Sequence, residues 1–214
     1  MGIIRDTIGA VLTGDIVNST KLLLTQEARL NKALGKFLGK HLHEFYRGDS
    51  FQVYLNKPAE ALRMALQCRA LAIEVTGNEE TEVVSDIRVS IGVGRVNLPI
   101  RQLGIAKGEA FLLSGRRFDE LQQSEQRLAI SSGVPLADIG FQVMADYLDS
   151  IFLGMTAKQA RVIVGLLSGT TQQQLAETLK KSKSTISQLA SAGRWPEIER
   201  VLEQYELLIN QMNY

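Results

Sequence analysis

This 214-residue chain has little of what would commit it to a specialised class. Its one cysteine, Cys68, cannot close a disulfide within the chain, which excludes a disulfide scaffold and makes a reducing compartment the natural setting. Four prolines against 18 glycines leave no low-complexity linker. Neither sign of charge dominates, since 24 Lys+Arg face 23 Asp+Glu for a formal net charge of +1. No apolar run reaches the roughly 18 residues of a membrane span. Asp6, Asp15 and Glu27 interrupt the stretch where a signal sequence would lie, so the expected location is the cytoplasm. What is present, 45% hydrophobic and 22% charged residues, suits one large domain or two small ones and excludes disorder, collagen and a coiled-coil rod.

Charge becomes informative once the chain is divided. Residues 1–154 carry 17 basic and 18 acidic side chains, whereas 155–214 carry seven and five. Within that tail Lys158, Arg161, Lys180, Lys181, Lys183 and Arg194 face Glu177 alone up to Arg194. A small basic module follows a neutral body, as suits a polyanion partner, although a solvated helix face has the same composition.

Patterning predicts the elements. Ile8 to Val17 is a short run rich in β-branched residues whose C-terminal end carries Asp15, a buried strand that leads into a functional turn. Asn18-Ser19-Thr20 can cap a helix over Lys21 to Leu42, with leucines and Phe37 at helical intervals. Glu44-Phe45-Tyr46 and Phe51 to Leu55 flank Arg47-Gly48-Asp49-Ser50, a hairpin with Asp49 at its tip. A second helix covers Ala59 to Val75 after Pro58, and Ile87 to Val93 alternates with period two as a fourth strand. A helix from Gly108 to about Gln123 and a strand Arg127 to Ile130 follow. The order β-α-β-β-α-β plus a helix and a strand predicts an α+β, ferredoxin-like split βαβ sheet. The expected division is a sheet domain at 1–150 and an all-α domain at 155–214, joined by a helix from Pro135. The tail reads as helices Thr156 to Leu167, Thr171 to Lys180, Thr185 to Ser191 and Glu197 to Met212.

In such a sheet the strand ending at Asp15 neighbours the strand led by Asp49. Two adjacent carboxylates repel unless a cation neutralises them, and hard oxygens suit Mg²⁺ or Mn²⁺ bridging phosphates. The N–H groups of Val17, Asn18, Ser19 and Thr20 at a helix start would cradle phosphate, with Arg47, Lys107 and Arg116 as clamps. Taken singly, Gly14-Asp15 and Gly48-Asp49 are also ordinary turn pairs. Arg88 is read equally as a strand-face charge paired with an acid or as a ligand contact.

Four segments carry a resemblance to class III nucleotide cyclases. GDIVNST at 14–20 resembles their first metal-binding strand and GDSF at 48–51 the second. IRVSIGVG at 87–94 resembles the following strand, and GEAF at 108–111 stands at the element that opens their next helix. The likeness implies a palm-type fold with metal at Asp15 and Asp49. The whole chain resembles the SatD-like family of bacterial proteins through GDIVNST, YRGDSFQ, RVSIGVG, GEAFLLSGRRFD and a C-terminal helix-turn-helix. Where cyclases carry a base-selecting Lys this chain has Phe45, and where they carry the transition-state Asn and Arg it has Ser114 and Phe118. Binding is therefore expected over turnover, because a catalyst must hold charge that develops only in the transition state.

In the tail, Leu175, Ala176 and Leu179 are placed to pack on Ile186 and Leu189, an arrangement that resembles bacterial trihelical DNA-binding domains. Gln172, Lys183, Ser184, Thr185, Ser187, Gln188 and Arg194 are the expected DNA contacts, because hydroxyls, amides and cations match base edges and phosphates. Three-helix bundles also serve as protein docking modules. His41 and His43, two apart, make a poor metal pair, Cys68 reads as a buried small hydrophobe, and Trp195 as an anchor for the last helix. The apolar stripe Ile198, Val201, Leu202, Tyr205, Leu208, Ile209 and Met212 suggests a homodimer contact. The expected function is a DNA-binding regulator with a nucleotide-sensing or dimerising cyclase-like domain. The alternatives are an active metal-dependent nucleotidyl cyclase or oligonucleotide synthase, and a docking module.

Overall fold

The computed structural model describes residues 5–46, 48–77 and 85–212. The strands are β1 (Arg5–Ile16), β2 (Leu42–Tyr46), β3 (Ser50–Leu55), β4 (Ile87–Leu98) and β5 (Leu128–Ser131), with β-branched residues concentrated in β1 and β4. The sheet order is β2-β3-β1-β4-β5, with β2, β3, β1 and β4 antiparallel in turn and β5 parallel to β4. Strand β3 lies between β1 and β2, and β1 lies between β3 and β4, which is the expected split βαβ topology. The fold is α+β, a ferredoxin-like sheet followed by helices.

Among the described residues there are eight α-helices: α1 (Leu24–Leu38), α2 (Ala61–Thr76), α3 (Glu109–Gln122), α4 (Pro135–Phe152), α5 (Ala157–Leu167), α6 (Gln172–Leu179), α7 (Lys183–Ala192) and α8 (Trp195–Gln211). Helix α1 is shorter than the sequence pattern suggests. Gly39 caps it, and Leu42, read as its last apolar position, instead pairs with Tyr54 as the start of β2. No helix among the described residues is long and apolar enough to cross a membrane.

The pleat sends alternate residues of β1 and β4 to opposite faces. Ala10, Leu12 and Ile16 join Ile87, Val89, Ile91 and Val93 in a core shared with Leu30, Leu34 and Leu38 of α1 and with the apolar side of α2. On the other face Val11 and Val96 pack with Ala110 of α3. Helix α3 comes so close that a Cβ at Gly92 would overlap the Ala110 carbonyl and the Ser114 backbone nitrogen, so only glycine admits the helix there.

The core does not break at the expected boundary near residue 150. Phe141, Phe152, Ile163, Leu175, Ile186, Leu202 and Tyr205 belong to the same buried cluster as the sheet. Helix α5 runs along α2. Gln67 donates to Ser168 Oγ at 2.6 Å, and the Tyr205 hydroxyl donates to the Pro58 carbonyl at 3.0 Å. The α8 stripe read as a dimer contact is therefore spent inside the chain: Ile198, Leu202, Tyr205 and Ile209 are buried, and Val201, Leu208 and Met212 pack against the cluster. Trp195 packs on it too, and Cys68 is wholly buried, which pushes its thiol up to about 12.

One charge sits at the centre of this join. Arg69 of α2 has no exposed surface; it donates to Asp86 Oδ1 at 3.1 Å and Oδ2 at 2.7 Å, donates to Asp149 Oδ1, and lies 4.7 Å from the Phe152 ring centroid. Asp149 in turn accepts the Arg127 and Leu128 N–H groups at 2.8 and 3.3 Å, tying α4 to the first residues of β5. Removing one member of a buried ion network leaves uncompensated charge. Arg69→Met should therefore lose about 3–5 kcal/mol of unfolding free energy in urea titration, whereas Arg63→Met, whose partner Glu206 is largely solvated, should lose under about 1 kcal/mol.

Candidate functional sites

Asp15 lies one residue from the end of β1, opposite Ser50 on one side and Arg88 on the other. Asp49 follows the Gly48 turn, where φ is 86°, and its carbonyl accepts the Ile16 N–H at 2.9 Å, so the ladder carries one residue beyond Ser50. The two acids are thus brought to the same end of adjacent strands, close enough for the Asp49 charge to act on Asp15. Arg88 Nη1 lies 3.2 Å from Asp15 Oδ2. The Ser19 and Ser50 hydroxyls donate to Asp49 Oδ2 and Oδ1 at 3.0 and 3.3 Å.

Burial pushes the Asp15 carboxyl up from its ordinary value; the Arg88 guanidinium and the Gln122 amide oppose this, Asp49 adds to it, and Arg127 opposes it more weakly. Asp15 Oδ1 and Arg88 Nε are buried without a hydrogen-bond partner among the described residues. An orphaned buried polar atom costs about 1–3 kcal/mol. That leaves Asp15 Oδ1 as an acceptor open to a water or a cation, near a second carboxylate. The set fits a hydrated divalent ion that takes one or two carboxylates and completes its shell with water or phosphate. Among the described residues no group of three or more His, Cys, Asp or Glu side chains converges to hold a metal ion by itself.

The rest of this face is packed. Ser114 Oγ donates to Thr13 Oγ1 at 2.7 Å, Gln52 Nε2 donates to the same oxygen at 3.1 Å, and Ser90 Oγ donates to the Ser114 carbonyl at 2.7 Å. Ser114 and Phe118 are therefore buried between α3 and the sheet.

The expected phosphate cradle takes a different form. Val17 to Thr20 do not open a long helix: Ser19–Lys21 is a single 3₁₀ turn, and Asn18 precedes it in the left-handed region at φ 60° without a side-chain cap. The Val17 N–H already donates to the Asp86 carbonyl at 2.9 Å. Ser19 touches Asp49, while Asn18 and Thr20 are exposed beside it. Lys107 lies at the far end of the sheet, because its carbonyl accepts from Asn97, the register partner of Asp6. Nine residues of strand put that end about 30 Å from Asp15. Arg116 is exposed on α3, about 200° round the helix from the sheet-facing Ser114. Arg47 falls outside the described residues. The cations beside Asp15 are Arg88 and Arg127. Arg127 and the Arg69–Asp86–Asp149 network escaped the sequence reading, although an arginine in the Ala/Leu-rich middle of α2 was a signal for a buried partner.

In the tail, Thr156, Thr171 and Ser182 cap α5, α6 and α7 through their hydroxyls, satisfying N–H groups at each start. Helix α6 ends on Lys180 at φ 51°, with the Lys181 N–H donating back to the Ala176 carbonyl at 2.9 Å, a six-to-one bond that closes a tight turn into α7. Leu175, Ala176 and Ile186 are buried in the angle, with Leu179 and Leu189 packed on them. Lys183, Ser184, Ser187 and Gln188 are exposed, Thr185 and Gln172 half-buried. Thr185 Oγ1 lies 2.8 Å from Ser182 Oγ. Arg194 is committed elsewhere: it donates to the Tyr147 hydroxyl at 2.7 Å and to Glu197 at 3.2 Å, and stacks 5.1 Å from the Tyr147 ring, bracing α4 against α8.

No family model matches the chain, and no curated protein does. Two solved structures of a bacterial light-regulated adenylyl cyclase align with 61% of this chain and 44% of their own, at 14% identity and a TM-score of 0.41. The chain thus spans less than half the length of those proteins.

The upward shift of Asp15 has a definite sign. The folded chain holds this proton more tightly than the unfolded chain, so the ionised carboxylate lowers stability as pH rises from the ordinary carboxylate value through the raised one. Asp15→Asn should unfold at higher urea than wild type at pH 7, and the gap should close as pH falls towards 3.

Proposed function

We propose that this chain is a cytoplasmic DNA-binding regulator whose sheet domain binds a nucleotide's phosphates through Mg²⁺ or Mn²⁺ at Asp15 and Asp49 as an effector. The observation that carries the DNA half is the α6–α7 turn. Lys180, Lys181 and Lys183 stand exposed with no carboxylate partner among the described residues, next to the exposed hydroxyls and amide of Ser184, Ser187 and Gln188. Cations at the lip and short polar side chains on the leading turn of a second helix are what phosphates and base edges require. The reading assigns base contacts to Ser184, Ser187 and Gln188 and phosphate contacts to the lysines. Gln172 and Thr185 flank them, and Arg194 acts as a brace. It also takes a homodimer as the working unit, so that two α7 helices meet a two-fold site. Because the α8 stripe is consumed inside the chain, the contact is assigned to exposed apolar side chains of one helix, Leu136, Ile139 and Val143 on α4.

For the sheet domain, the orphaned Asp15 Oδ1 beside Asp49 supports a cation, and Arg88 supports the anion that accompanies it. Effector binding is favoured over turnover because the positions where the resembled cyclases place their transition-state Asn and Arg, here Ser114 and Phe118, face into the protein. A group bound in hydrogen bonds to Thr13 and Ser90 cannot also follow developing charge on a substrate.

Gel shifts on DNA from upstream of the protein's own gene test the first half. The affinity should fall steeply with salt, and each of Lys181→Ala and Lys183→Ala should lower the logarithmic salt slope by about 0.9, whereas Gln188→Ala should flatten the preference among sequences; no salt dependence would end the DNA reading. Calorimetry with ATP and Mn²⁺ tests the second. Wild type should bind, Asp49→Ala should bind at least tenfold more weakly, and neither should release pyrophosphate; release abolished by Asp49→Ala would establish an enzyme instead.

A further inference from the structure

Between the sheet and the tail lies a cavity of about 290 Å³ that the acidic site does not use. Its walls come from four places: Val17 and Asn18 after β1, Ser85 and Asp86 before β4, Arg127 before β5, and Phe152 to Met155 where α4 passes into α5, with Ile73 of α2 at the base. Ile73, Phe152 and Met155 are buried and give it an apolar floor, while Leu153 stands 66% exposed at its edge. An exposed leucine beside a concave apolar surface is a contact surface in want of a neighbour.

The polar groups of the cavity are unequal. Asp86 is already satisfied by Arg69 and by the Ile87 N–H at 2.7 Å, and Ser85 Oγ donates to the Val17 carbonyl at 2.6 Å. Arg127 is different. Its Nη1 donates only to the Glu125 and Gln126 carbonyls, at 2.8 and 3.2 Å, and no carboxylate lies within ion-pair distance of it among the described residues. A guanidinium has five donors in a planar fork that matches carboxylate or phosphate. The cavity thus offers one cation without a carboxylate partner at ion-pair distance, over an apolar floor, and its volume lies just below the roughly 300–1,000 Å³ typical of small-ligand sites.

We infer that this cavity is a second ligand site, for a small molecule that carries a carboxylate or phosphate on an apolar, ring-sized body. The anion lies on Arg127, and the body lies on Phe152, Met155 and Leu153. The occupant touches β1, β4 and the α4–α5 link together, so it bridges the sheet to the first residues of the tail. The site needs neither the divalent ion nor DNA, so its failure and the failure of the proposed function are separable.

The test is backbone amide NMR of the full chain in metal-free buffer, titrated with benzoate and with phenyl phosphate. Benzamide serves as the neutral body and inorganic phosphate as the bare anion. Saturable shifts at Asn18, Asp86 and Leu153 to Met155 with either aromatic anion, and weak or absent ones with both controls, are expected; preference between the two anions assigns carboxylate or phosphate. Arg127→Gln should weaken binding at least tenfold, with Arg127→Lys recovering part of it. Leu153→Ala, at an exposed position, should weaken it several-fold while the remaining spectrum stays unchanged. Equal shifts with benzamide, no shifts at these residues, or undiminished binding by Arg127→Gln would overturn the inference.

Discussion

A guanidinium with no access to water must be neutralised where it lies, and that requirement organises this molecule. Arg69 sits in the middle of α2, and the carboxylates that compensate it come from distant parts of the chain, Asp86 at the start of β4 and Asp149 near the end of α4. Asp149 then spends its second oxygen on the first N–H groups of β5. One cation thereby fixes helix, strand and tail relative to one another. Such a network is costly to form, because each ion surrenders its hydration, and costlier to break, because the survivors remain buried. The shared core of α2, α5 and α8 is the apolar counterpart of the same join.

The acidic site depends on this frame. Asp86, held by Arg69, also accepts the Val17 N–H, so the chain leaving β1 is pinned two residues beyond Asp15. Arg88, two residues further along β4, falls on the opposite face from the core and meets Asp15 across the ladder. Asp86, just before the strand, thus joins the structural network, while Arg88 within it faces the candidate site. Pairing with Arg88 satisfies one Asp15 oxygen and leaves the other buried without a hydrogen-bond partner, while the Asp49 charge acts on the same carboxyl.

Much of the architecture was legible because the relevant signals are local. The alternation Ile87 to Val93 and the Gly-Asp turn at 48–49 each act over a few residues, and the strand and the hairpin formed where those patterns lay. The misreadings share one cause. Leu42 fits a helical period and a strand equally, and only its pairing with Tyr54 decides between them. Lys107 and Arg116 are cations near a resembled motif in sequence, yet strand length and helix phase carry both away from Asp15. Arg194 looked like a free cation until Tyr147, on another helix, claimed it. The α8 stripe looked too wide for a small bundle because the sheet domain that covers part of it lies more than a hundred residues earlier.

The sequence by itself determined the order and kind of the elements, the convergence of Asp15 with Asp49 and the polar leading turn of α7, because periodicity, turn chemistry and strand adjacency follow from short-range sterics and hydrogen bonding. Only the tertiary structure decided that Arg69 would be buried, that Arg88 and Arg127 would be the cations beside Asp15, and that the tail would share the core of the sheet. Those outcomes depend on which distant side chain removes a charge or an apolar surface from water, and no local pattern records that.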